Sequence, residues 1–99
     1  MIQILWEYRV RPERRAEFES HYGVGGTWAR FFRKDPAYHG TLLVRDHAAA
    51  DRYLTIDSWD TLAAYESFSH RHAGEYRAID ALCAAYTLEE RRLGIFEAV

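Results

Sequence analysis

Cysteine is almost absent from this chain of 99 residues: the single thiol, Cys83, can form no internal disulfide, which fits a reducing compartment. Long apolar runs are missing too. No uncharged stretch approaches the eighteen or so residues of a membrane span, and no basic leader precedes the apolar residues of MIQILWEYRV, so a cytoplasmic protein without a membrane partner is expected. Neither sign of charge forms a block. Thirteen basic against fifteen acidic residues leave a net charge of −2, which argues against nucleic acid and anionic membranes and leaves small solutes or proteins as partners. The only glycine-rich stretch, Gly23-Val-Gly25-Gly26, follows a helical pattern and lacks a Lys-Ser or Lys-Thr, so it reads as a bend and not as a phosphate cradle. With no repeat, linker or low-complexity segment, residues 1–99 are expected to form one domain with one core.

What is present is organised around Tyr53 to Tyr86. Tyr53 to Asp57 alternates Leu54 and Ile56 with Tyr53, Thr55 and Asp57, the two-residue period of a strand. From Asp60, a plausible N-cap, the period changes: Leu62, Tyr65, Phe68, His72, Tyr76, Ile79, Cys83 and Tyr86 recur every three or four residues, one stripe along a long helix. Glu66, Arg71, Glu75 and Arg77 fall on its other faces. The stripe places Cys83 as a buried hydrophobe.

Ahead of this unit, Ile2 to Val10 alternates as a strand with one apolar face, and Pro12 opens a first helix carrying Phe18 and Tyr22. After the glycine bend, Thr27 can cap a second short helix with Trp28, Phe31 and Phe32, which Asp35-Pro36 stops. Tyr38 to Arg45 is a strand paired as an antiparallel hairpin with the Tyr53 strand, and Leu88 to Val99 is a last strand. The order is that of an α+β, ferredoxin-like βαββαβ domain: a four-stranded antiparallel sheet with two helices on one face. Leu5, either Leu42 or Leu43, and one of the two β-residue sets of the Tyr53 strand must then point away from the helices, and burying them calls for a homodimer packed sheet to sheet.

The element order, with YLTIDSW leading into the long helix, the YGVGGTWARFF connector and the TLLVRD strand, resembles the antibiotic biosynthesis monooxygenase (ABM) superfamily of dimeric α/β barrels over nearly the whole chain. The resemblance implies either cofactor-independent oxygenation of aromatic substrates or haem degradation. The haem-degrading branch is characterised by an Asn on the first strand, a Trp within the second long helix and a His further along it. This chain has no Asn, Trp59 precedes the helix, and only His70 or His72 could stand for the histidine, so haem degradation ranks below oxygenation.

No metal site is expected, because His70 and His72 point about 200° apart on a helix and no complete ligand cluster accompanies His72 and Glu75. Tyr65, His72 and Tyr76 would all need buried partners in a tightly packed core, and a pocket with water or a polar aromatic ligand satisfies them instead. The resemblance then suggests a monooxygenase that needs no cofactor and acts on a small electron-rich aromatic. His72 would be its base, Tyr76 and Tyr65 its donors, and Trp6, Tyr8, Trp28, Phe32 and Phe68 its substrate-binding walls. Asp57, Asp60 and Asp80 read as turn, cap and solvated face. The alternative is a non-catalytic dimer that binds a small hydrophobic ligand or a protein partner, with His72 a hydrogen-bonded core residue and the aromatics ordinary packing.

Overall fold

The computed structural model describes residues 1–99. Four strands, β1 (Ile2–Val10), β2 (Tyr38–Arg45), β3 (Arg52–Trp59) and β4 (Thr87–Glu97), form one antiparallel sheet in the order β2-β3-β1-β4. The fold is the expected α+β arrangement, with β1 and β3 central and all helices against one face. No helix is long and apolar enough to cross a membrane.

Alternation decides which side chains meet the helices. On β1 these are Ile2, Ile4, Trp6, Tyr8 and Val10, and on β3 they are Tyr53, Thr55, Asp57 and Trp59. β2 changes phase. Tyr38 pairs with Trp59, but the next register is Gly40 with Ser58, so a bulge at His39 lets both Tyr38 and Thr41 face inward. Gly40 holds a φ of 134°, a conformation open to glycine and strained for other residues. Past the bulge, Leu43 packs on the core and Leu42 points outward, 58% exposed.

The first connection is two helical pieces around a glycine bend. A single 3₁₀ turn, Pro12–Arg14, leads into α1 (Arg15–Tyr22), and α2 (Thr27–Phe32) follows the bend. A methyl on Gly26 would sit 2.6 Å from the carbonyl oxygens of Ser20 and His21, so the close passage of the two helices requires glycine there. Thr27 does not cap α2. Gly26 occupies the N-cap, and the Thr27 hydroxyl meets His21 Nδ1 at 2.6 Å.

The second connection differs from the single helix the stripe predicts. Backbone at His72 leaves helical geometry (φ −114°, ψ 29°) and divides it into α3 (Leu62–Arg71) and α4 (Ala73–Cys83), with a 3₁₀ turn at Ala84–Tyr86. Gly74, a weak helix former, lies just past the break. Every residue of the stripe is nonetheless buried or half-buried, while Glu66, Arg71, Glu75 and Arg77 are exposed. The N-cap is Thr61, whose hydroxyl accepts from the Ala64 N–H, and Asp60 instead pairs with His39.

The core between helices and sheet is aromatic. Phe18 stacks on Tyr22 and meets Tyr8 and Tyr53, while Trp59 is ringed by Phe32, Tyr38, Tyr65 and Phe68 at 5.4–5.5 Å. Such pairs add about 0.5–1.5 kcal/mol each beyond the area they bury. Cys83 is buried, and burial raises its thiol above the ordinary range.

Candidate functional site

The aromatic core does not close completely. Between the inner face of the sheet and α2 and α4 lies a partly open cavity of about 130 Å³. Its floor is the alternating register of the strands, with Trp6 and Tyr8 from β1, Thr41 from β2, and Thr55 and Asp57 from β3. Its walls are Tyr22 at the end of α1, Trp28 and Phe32 on α2, and Tyr76 on α4. The rim carries Asp80 on α4 and Glu90 on β4.

The structure thus brings together Trp6, Tyr8, Trp28, Phe32 and Tyr76 from the residues singled out in the sequence. Trp28 and Tyr76 meet edge to face at 5.0 Å. Tyr65 stands behind Tyr76, its hydroxyl 3.1 Å from that of Tyr76, and does not line the cavity. Phe68 is fully buried beneath it. His72 is also outside: at the α3–α4 junction its ring lies 4.5 Å from Phe68 and 6.1 Å from Phe31, and it makes no side-chain hydrogen bond. His70 is exposed.

The residue that the sequence reading placed at a turn is the most unusual in the cavity. Asp57 sits opposite Thr41 in the sheet and is only 8% exposed. Its Oδ1 accepts a 2.5 Å hydrogen bond from the Thr41 hydroxyl, and Oδ2 accepts none. Because the Thr41 proton is committed to Asp57, the Tyr38 hydroxyl at 2.5 Å must donate to Thr41, giving a directed chain Tyr38, Thr41, Asp57. Burial disfavours the carboxylate and pushes its pKa from 3.8 to about 6, while the Thr41 bond pulls the other way. The signal was in the alternation, since Asp57 shares its face with Tyr53 and Trp59.

The other polar groups are acids or hydroxyls. Tyr8 meets Thr55 Oγ1 at 3.2 Å, and burial raises the phenols of Tyr8, Tyr22 and Tyr76 well above their usual range, so all three remain neutral donors. Loss of solvent raises Asp80, and the same effect, with repulsion from Asp80, raises Glu90. The Trp28 Nε1–H is buried without a hydrogen-bond partner. No three His, Cys, Asp or Glu side chains converge to hold a metal ion. A neutral-range carboxylate, phenolic donors and aromatic walls can together accept a proton from a bound ring and hold the resulting anion out of water.

Solved structures share this architecture. The chain is similar to a candidate antibiotic biosynthesis monooxygenase from Bordetella bronchiseptica, at 22% identity and TM-score 0.77 over 99% of this chain and 96% of that one. It is similar to SnoaB, a cofactor-independent oxygenase from Streptomyces nogalater, at 23% identity and TM-score 0.77 over 99% and 92%. A conserved protein from Methanosarcina mazei Go1 shares the fold at TM-score 0.78, with 12% identity over 99% and 92%. No curated protein sequence matches the chain. The sequence itself matches the antibiotic biosynthesis monooxygenase (ABM) family over residues 1–81, from β1 through most of α4, and the chain belongs to that family.

Proposed function

We propose that the protein is a cofactor-independent monooxygenase of a small electron-rich aromatic, working as a homodimer packed sheet to sheet. The observation that supports this reading most is Asp57, a nine-tenths buried carboxylate on the floor of an aromatic cavity, with a pKa of about 6 and one oxygen free for a ligand. The base is assigned to Asp57 and not to His72, because His72 lies outside the cavity.

In the proposed reaction, Asp57 takes a proton from an activated C–H of the substrate, for example the ring methylene in the keto tautomer of a phenol. The neutral phenol of Tyr76 and the indole ring of Trp28 lie on the wall beside the anion that forms. That carbanion passes one electron to dioxygen, and the radical pair combines into a peroxide bonded to carbon. Cleavage of the O–O bond with loss of the remaining C–H leaves a carbonyl. One oxygen atom stays in the product and the other leaves as water, so the methylene and O₂ become carbonyl and H₂O. Tyr65 supports Tyr76 from behind through their shared hydrogen bond.

Oxygen uptake with a panel of single-ring phenols and hydroquinones tests the reading. The wild-type protein is expected to consume oxygen above the buffer rate, and Asp57→Asn to lower that rate by roughly 10²- to 10⁴-fold. His72→Phe and His70→Phe are expected to leave it nearly unchanged. Wild-type uptake equal to buffer across the panel would return the protein to the non-catalytic reading, a dimer that binds a small hydrophobic ligand.

A further inference from the structure

Three carboxylic acids border the cavity, and no Lys, Arg or His does. None of the three takes part in an ion pair, whereas Glu7, Asp35, Asp46, Asp51, Asp60 and Glu75 all meet a basic side chain. Two of the unpaired acids, Asp80 and Glu90, share the rim, close enough for Asp80 to repel charge on Glu90. The third is Asp57, whose Oδ2 has no partner within the protein although the side chain is nine-tenths buried. The surfaces between them are ring faces and edges of Trp6, Tyr8, Trp28 and Tyr76.

Uncompensated acids beside aromatic faces are the combination that holds a cation: the ring quadrupole and the carboxylates attract positive charge together. An anionic ligand would meet acids at the mouth and on the floor, with no basic side chain to offset them. Size narrows the class. An apolar cavity of about 150 Å³ takes one benzene ring, so the 130 Å³ here admits a single ring with its substituents directed to the opening. We infer that the cavity selects a single-ring phenol carrying a protonated aminoalkyl chain, the ring over Asp57 and the ammonium at the Asp80–Glu90 rim. This rests on reading the cavity as the substrate site, and adds the charge and size of what enters.

Three probes share one ring and differ only in terminal charge: tyramine, its neutral alcohol tyrosol, and 4-hydroxyphenylacetate. Titration calorimetry at low salt and pH 7.5 should rank them in that order, with tyramine about 10-fold tighter than tyrosol and the carboxylate weaker still. In the Asp80→Asn, Glu90→Gln double variant, whose positions are exposed, the amine preference should shrink to less than about 3-fold. Circular dichroism checks that the variant folds. Equal binding of amine and alcohol, or a preference that survives the double variant, overturns the inference. So does failure of all three to bind.

The oxygenase reading separates cleanly from this one. Oxygen uptake on neutral rings without any amine preference leaves the oxygenase standing and removes the charge selection. Amine-selective binding that depends on the rim acids, without oxygen uptake on any ring, does the reverse.

Discussion

Asp57 makes opposite predictions for activity and stability. Its folded pKa lies above its unfolded value, so the stability it contributes is full below about pH 4 and is lost as pH rises through about 6. At pH 7 the chain therefore carries a buried charge that Asp57→Asn removes while keeping an acceptor for Thr41. The variant is expected to be more stable by roughly 2–3 kcal/mol at pH 7, with little gain at pH 3.5, measured by urea unfolding at the two pH values. A loss of stability at pH 7 would mean that burial does not govern this group. Thr41 tunes the same carboxylate: Thr41→Val removes the bond that favours the charged form, so the rise of activity with pH should move to higher pH. An unmoved pH profile would leave Thr41 with only a packing role. Composition and alternation identified the aromatic walls, but not Asp57, because an Asp in a strand resembles a solvated residue until the buried face is known.

At the scale of elements, the helix stripe was legible residue by residue while the helix itself was not. A period of 3.6 survives the deviation at His72, where the backbone bond from His72 to the Phe68 carbonyl and that from Tyr76 to the His72 carbonyl are both kept. In β3 the alternation was legible but not which of its two sets faces the helices, while in β1 the phase itself was legible. It was not in β2, where the bulge beside Gly40 changes which of Leu42 and Leu43 faces in. Two glycines in one bend should behave differently. Gly26→Ala forces a methyl against two backbone carbonyls and is expected to cost about 1–3 kcal/mol and loosen α2, which carries Trp28 and Phe32. Gly25→Ala meets nothing within 4 Å and should be nearly neutral. Thermal melts of the two variants decide the point, since equal shifts would mean that the close approach of α1 and α2 is not what the bend requires.

At the scale of the whole molecule, the face of the sheet turned from the helices has nothing from this chain upon it. Leu5, Leu42, Val44, Leu54, Ile56 and Phe96 stand on one half of it, with Leu42 58% and Phe96 50% exposed. The other half is charged and internally paired: Glu7 holds both Arg52 and Arg91, and Arg9 meets Asp51. An apolar half beside a self-satisfied polar half suits a second copy better than solvent. Light scattering should give twice the chain mass of 11.6 kDa, and Ile56→Asp should give the single-chain mass; a monomeric wild type would remove the dimer from the proposal. The three tryptophans add one more consequence. Trp6 and Trp28 border the cavity, while Trp59 is fully enclosed by other rings. Their fluorescence therefore contains two reporters in one spectrum: a ligand quenches or shifts the emission of the first pair and leaves the third unaltered, and only denaturation changes all three.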